Sequence, residues 1–309
     1  MSAVTPMISV VIPTYERPDL LRRCLAALAA QDLAPDRFEV VVVDDGSGPE
    51  VRTVLEEAST RSPQLRWLAQ ATNQGPAAAR NLGVAEARGD LILFMDDDIV
   101  ATPSLVRDHV ELHDRANDPT LGVIGRVAWH PDLQITPFMR WLDTTSHQFA
   151  YETWMREGPI AKPWEAFYTC NLSLHRALFE TTGGFNETFP FAACEDTELG
   201  YRLWKNGFHL EYRPAVLGWN ARPITLSVFR KRMEKAGESL VILERLQPEL
   251  QTMTVGEPEG PTPARGHAEK LRTLVMERGR LDKLRGAIYQ RIVTRAQAAG
   301  MDKRAAISC

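Results

Sequence analysis

Apolar positions in the first hundred residues alternate between two patterns. "MISVVIP" (7–13) and "FEVVVVDD" (38–45) are apolar throughout, which suits strands buried on both faces of a parallel sheet. Between them, "PDLLRRCLAALAAQ" (18–31) sets Leu21, Leu25 and Leu28 at helical spacing, with Pro18 early, where a helix tolerates it. The unit is βαβ. A helix over about 50–61, a strand near 65–69, a helix over about 76–87 and a strand at 91–95 continue the alternation, so the spacing predicts a doubly wound α/β sheet. Such sheets collect ligands at the carboxyl ends of their strands, and three strand ends here are polar: "PTYERPD", "DDGS" and "MDDD".

The second half reads differently. Residues 120–165 are rich in Trp, Pro and His without a clear period, which predicts long loops over the sheet edge. "CEDTELGYRLWKNG" (194–207) predicts a helix with Leu199, Leu203 and Trp204 on one side and Gly207 as its stop, and "FHLEYRPAVLGWN" (208–220) a final strand. Residues 226–246 predict an amphipathic helix, 248–267 a Pro/Gly-rich linker and 268–298 a basic helix.

Composition sets limits on this picture. With 44% hydrophobic and 25% charged residues in 309, the chain is an ordinary globular one, large enough to bury a core. Its net charge of -4 hides an asymmetry: residues 265–309 hold 11 Lys/Arg against 4 Asp/Glu, a +7 tail on a -11 body. Cys24, Cys170, Cys194 and Cys309 show no C-x-x-C spacing, and no signal-like segment opens the chain, so reduced thiols in a cytoplasm are expected. No apolar run reaches the roughly 20 residues that span a bilayer.

Three motifs carry candidate chemistry, each beside a plainer reading. Asp96, Asp97 and Asp98 form a solvated acidic turn or, at a strand end, offer hard oxygens to a divalent cation that keeps waters and bridges to phosphates. Asp44 and Asp45 cap the next helix or hydrogen-bond a nucleotide. Glu195 and Asp196 complement a helix dipole, or one of them takes a proton from a bound hydroxyl; Asp196 is the candidate.

Taken in order, "SVVIPTYERPDLLRRCLAAL", "VVVDDGS", "NQGPAAARNLGVAEARGDLILFMDDDI", "GGFNETF" and "CEDTELGYRLWKNG" resemble the family 2 glycosyltransferases with the GT-A fold, over roughly residues 8–220. The resemblance implies inverting, metal-dependent transfer of a sugar from a nucleoside diphosphate donor, UDP by default, to a hydroxyl acceptor: a glycan, a lipid-linked sugar or a small molecule. It implies that Pro13, Tyr15, Glu16, Asp44, Asp45, Arg80 and Asp97 line the nucleotide pocket, that Asp96 and Asp98 hold Mn2+ or Mg2+, and that Asp196, with Glu195 beside it, supplies the base. Residues 1–222 then form the glycosyltransferase domain, with the nucleotide half at about 1–115 and the acceptor half at about 116–222. Segment 223–247 is the amphipathic helix and 268–309 the basic tail.

The chain departs from the family pattern where many relatives carry a His after the last strand; here Trp219 and Asn220 stand. Trp164, Asn171 and Asn220 are candidates to touch the donor or acceptor sugar, while Trp129, Trp141 and Trp154 are expected in the core. No Q-x-x-R-W pattern occurs, so transfer of a single sugar is expected. Nucleic acid is not an expected partner, and the tail suggests a helix packed on the acidic body or on a second subunit, or else membrane-surface attachment. A nucleotidyltransferase and a non-catalytic glycan-binding subunit are the rival functions; "PTYERPD" lacks the glycine the first would want, and the paired acidic sites argue against the second.

Overall fold

A computed structural model describes residues 5–145, 147–148, 151, 155–253 and 272–307. Trp154, Leu271, Cys309 and most of the linker lie outside the described residues, as do the side chains of 272–285, which carry much of the tail's Leu and Arg pattern. The chain forms two compact units, one from residues 1–133 and 155–222, the other from 134–154 and 223–309. Segment 134–154, expected in the acceptor half, thus groups with the C-terminal helices.

In the first unit nine described strands make one sheet, ordered β3-β2-β1-β4-β8-β6-β9-β5 with β7 also on β9. The strands are β1 (Ile8–Thr14), β2 (Phe38–Asp44), β3 (Leu65–Ala69), β4 (Leu91–Met95), β5 (Ile99–Ala101), β6 (Leu121–Trp129), β7 (Gly158–Ile160), β8 (Asn171–His175) and β9 (His209–Asn220). Strands β1 to β4 pair in parallel, β8 runs against β4 and β6, and β6 runs parallel to β9, so β5, β7 and β8 alone oppose the common direction. The first half matches its pattern closely: β1 and β2 are buried along almost their whole length, as all-apolar runs should be. Helices α1 (Pro18–Ala29), α2 (Pro49–Arg61) and α3 (Pro76–Ala85) each start on a proline, whose missing N–H costs nothing in a first turn.

The expectation of long loops over 120–165 is overturned. Helix α4 (Leu105–Ala116) precedes the nine-residue strand β6, and α5 (Pro137–Thr144) follows it, its Thr136 side chain accepting the Met139 N–H as a cap. Two glycines and an arginine break the apolar run of "LGVIGRVAW", which concealed the strand.

A buried polar chain ties α4 to β8 and to a bulge where the β6–β9 register shifts between Gly125 and Arg126. Asn171 Nδ2 donates to the carbonyls of Val216 (3.0 Å) and Arg126 (3.2 Å), so its Oδ1 faces His109 Nε2 at 2.9 Å, and that nitrogen carries the proton. His109 Nδ1 then accepts from Ser173 Oγ (2.8 Å), which in turn accepts from His113 Nε2 (2.8 Å). One tautomer satisfies every link. Only glycine fits at 125, because a Cβ would overlap the Asn171 amide and the Val216 carbonyl. Burial pushes the His109 imidazole down to about 4; burial, then the neighbouring His109 and His175, push His113 down to about 3.

The second unit is helical. Phe138 and Trp141 of α5 pack on each other, Phe138 meets Phe229 of α8 (Leu226–Leu246), and both reach Tyr289 of the last helix, which with α6 (Arg176–Thr181) and α7 (Glu195–Lys205) counted is α9 (Arg272–Ile307). Helices α8 and α9 touch backbone to backbone: a Cβ on Gly237 would overlap the Gln297 carbonyl, and one on Gly300 the Glu234 carbonyl.

Candidate active site

Parallel pairing of β1 with β4 brings the ends of these strands side by side, so "PTYERPD" and "DDD" share one end of the sheet. The three aspartates do three different things. Asp97 turns inward: its Oδ2 accepts the Thr14 hydroxyl (2.8 Å) and its Oδ1 the Arg17 Nη1 (2.9 Å). Asp98 accepts Asn220 Nδ2 on Oδ1 (3.1 Å), and its Oδ2 lies 3.9 Å from Arg17. Asp96, the most open of the three, accepts Arg80 Nη2 (2.9 Å). Burial, then Asp96 and Asp97, push the Asp98 carboxyl up to about 7 against the pull of Arg17 and Arg222. Burial also raises Asp97, although Arg17 and Thr14 oppose it.

The second acidic pair reaches the same place through Arg80. This side chain, on α3, is only 4% exposed; its Nη1 meets Glu195 Oε1 at 3.2 Å and lies 3.9 Å from Asp196. Burial pulls the guanidinium pKa down, but Asp196, Asp96 and Glu195 outweigh it and hold the value above that of a free arginine. Glu195 and Asp196 head α7, where the helix dipole favours anions. They face differently. Glu195 is 3% exposed, and burial with the adjacent Asp196 pushes it up to about 8; Asp196 is 24% exposed and accepts the Thr169 hydroxyl (3.1 Å) and N–H (3.3 Å). Burial raises Asp196 as well, against Arg80 and with Asp96.

The strand-end residues of β1 and β2 mostly hold each other. Glu16, at φ 55°, accepts the Gly48 N–H (2.8 Å) and donates its own N–H to Ser47 Oγ (2.9 Å). Asp44 accepts the Ser47 N–H (2.9 Å), and Asp45 accepts the N–H groups of Gln74 (2.7 Å) and Gly75 (2.9 Å) on its two oxygens. Asp44 thus braces the turn that leads into α2 and Asp45 the segment that leads into α3, and neither makes the expected side-chain cap of α2. Pro13 is part-buried in β1, while the Tyr15 ring stands 46% exposed beside it.

Several expected positions differ from their geometry. Arg80, expected beside the nucleotide, is buried among carboxylates, and Asp97, expected in the same pocket, has both oxygens turned to protein donors. Trp164 is a core residue: it is buried with its ring 4.5 Å from that of Trp204 and 5.4 Å from that of Tyr201. Asn171 is wholly buried in the histidine chain. Asn220 lies beside Asp98 but presents its NH2, because its Oδ1 accepts the Arg222 N–H (2.9 Å). Arg17 and Thr169 went unnoticed in the sequence; Arg17 had a signal, a cation inside a strand-end motif, and Thr169 had none.

Among the described residues no three His, Cys, Asp or Glu side chains converge on one point. The donor set nevertheless suits a hard divalent cation: Asp96 and Asp98 offer carboxylate oxygens on an over-acidic strand end, and such ions complete their shells with water and phosphate.

Comparison with known proteins bears on the fold and the family. The model of glycosyl transferase family 2 matches residues 9–169, and that described as the N-terminal domain of galactosyltransferase matches 155–221. A validoxylamine A glucosyltransferase of Streptomyces hygroscopicus subsp. limoneus is 33% identical over 232 residues, covering 65% of this chain and 49% of that protein. The chain thus spans about half the length of that curated relative. The mannosyltransferase PcManGT from Pyrobaculum calidifontis, solved with GDP-Man and Mn2+, superposes with a TM-score of 0.58 at 18% identity over 98% of this chain and 78% of that one. S. aureus TarS 1–349, solved with UDP-GlcNAc, does so with 0.56 at 17% identity over 81% and 76%. The chain has the GT-A fold and belongs to glycosyltransferase family 2.

Proposed function

We propose that the protein transfers a single sugar from a nucleoside diphosphate sugar to a hydroxyl acceptor, with inversion at the anomeric carbon and with help from a divalent cation. The observation that carries this reading is Arg80, which joins Asp96 at the end of β4 to Glu195 and Asp196 at the head of α7, so that a diphosphate-side acid and a candidate base border one space. Residues 1–115 serve the nucleotide, and 116–133 with 155–222 the acceptor. UDP is the first donor to test, since the TarS structure holds UDP-GlcNAc; the PcManGT structure makes GDP the second.

In the reaction the acceptor oxygen attacks the anomeric carbon as the bond from that carbon to the diphosphate oxygen breaks. Asp196, part-exposed and held by Thr169, takes the acceptor proton. Glu195, buried on Arg80, fixes the guanidinium that orients Asp96. A Mn2+ or Mg2+ ion held by Asp98 and Asp96 would offset the charge that gathers on the leaving diphosphate. No covalent intermediate is needed, because one displacement with one base completes the transfer.

A panel of UDP, GDP and dTDP sugars with and without Mn2+ tests the reading. Release of nucleoside diphosphate that depends on acceptor and metal supports it. Release of pyrophosphate would indicate nucleotidyl transfer, and tight binding without turnover a non-catalytic subunit. For the tail we favour packing within the chain over membrane attachment, because α9 lies along α8; no described helix is long and apolar enough to cross a membrane. Sedimentation with and without anionic liposomes at low and high salt decides between them.

A further inference from the structure

The turn after β1 holds a cation that the proposed reaction has not used. Arg17 stands at the residue before α1, and its guanidinium is anchored from below: Nη1 donates to Asp97 Oδ1 at 2.9 Å, while the Thr14 hydroxyl donates to the other Asp97 oxygen. Asp97 is buried, so its charge is available to Arg17 and not to solvent. The same Nη1 lies 3.9 Å from Asp98 Oδ2, the oxygen that Asn220 leaves uncovered. The rest of the fork is open. The Arg17 side chain is 37% exposed, and Nε and Nη2 make no hydrogen bond among the described residues. Arg80 offers the contrast, since its cation is sealed inside the protein and spent on Asp96 and Glu195.

A guanidinium with two free donor positions, held rigidly at the edge of an acidic cluster, matches the paired oxygens of a phosphate. We propose that Arg17 binds the diphosphate of the donor and that Asp97 positions it. The inference rests on the glycosyltransferase reading and separates the middle carboxylate from its neighbours, since the outer two aspartates would hold the divalent cation while the inner one aims an arginine. It also explains why Asp97 is charged where an apolar residue would pack at lower cost, since a buried carboxylate is tolerable only against a fixed partner.

Titration calorimetry with UDP and with uridine, each with Mn2+ and with chelator, tests the proposal. Arg17→Gln should weaken UDP binding about 10–100-fold while uridine binding stays within about twofold, because only the phosphates lose a charge-assisted partner. Arg17→Lys should recover part of the loss, keeping the charge without the fork. Asp97→Asn should move UDP in the same direction by a smaller factor, again sparing uridine. An unaltered UDP affinity in a folded Arg17→Gln overturns the proposal alone, as does an equal loss for UDP and uridine, which marks a merely structural role. A wild-type protein that binds neither UDP nor GDP overturns this proposal together with the reading beneath it.

Discussion

Two clusters of buried polar side chains sit on the same sheet and obey opposite rules. The His109–Ser173–His113–Asn171 chain is neutral and directional, with each link's donor matched to an acceptor. The aspartates after β4 and the acids heading α7 are instead crowded with like charge, and burial pushes Asp98 and Glu195 well above the usual carboxylate range. A chain of matched links fixes backbone, here the bulge from which β9 runs on to Asn220, with only its far end, His113 Nδ1, left without a partner among the described residues. An over-charged one stores a demand for a partner, which is the usual mark of a working site. The histidines, which a motif search would single out first, are thus the structural group.

Substitutions can break this contrast. Asp196→Asn should lower turnover about 10²–10⁴-fold with donor affinity kept, as measured by steady-state kinetics beside calorimetry. Asp98→Asn should cost about 10²–10³-fold in turnover, yet raise the melting temperature in chelator at pH 8 by removing a buried like charge. Ser173→Ala should do the reverse. Loss of the hydroxyl strands His109 Nδ1 and His113 Nε2, at a cost of about 2–4 kcal/mol in urea unfolding, while turnover stays within about threefold. If Ser173→Ala proved catalytically dead but stable, the assignment of the two clusters would be inverted.

Acidity separates them more finely. The histidines have folded values of about 4 and 3, below the unfolded 6.5, so the stability they confer is full above pH 6.5 and drains as the pH falls from there. Asp98 and Glu195, raised to about 7 and 8, act oppositely: their contribution is full below about pH 4 and lost as the pH rises through those values. Between pH 6.5 and 8.5 the acids change more than the histidines. Metal-free wild type should therefore lose on the order of 1 kcal/mol per acid across that interval, and Asp98→Asn should lose less, as read by thermal melts at the two pH values.

The same division governs what could be read from the sequence. Strands β1, β2 and β4 and helices α1 and α2 announce themselves because their buried faces are apolar, and α3 and α7 do so through their apolar members, although they also bury Arg80 in the one and Glu195 and Glu198 in the other. Helix α4 does not, since His109 and His113 occupy the face it buries, and β8 turns Asn171 and Ser173 inward. A polar network hides the very elements it stabilises. At the site, the acidic motifs were visible as residue types, but the inward turn of Asp97 and the burial of Arg80 depend on partners 80 and 115 positions away, which no local pattern encodes. Trp164 failed as a sugar platform for a related reason: its packing partners, Tyr201 and Trp204, lie on a helix read separately.

The paired glycines where α8 crosses α9 have a consequence for how the chain tolerates changes of length. The closest approach there is at two points, Gly237 on Gln297 and Gly300 on Glu234, each too tight for any side chain. Sliding one helix by a turn would bring Met233 or Val241 to the place of Gly237, and neither fits. The pair has a single register. An insertion or deletion between the two helices cannot be relieved by slippage and must be taken up wholly by the segment that joins them.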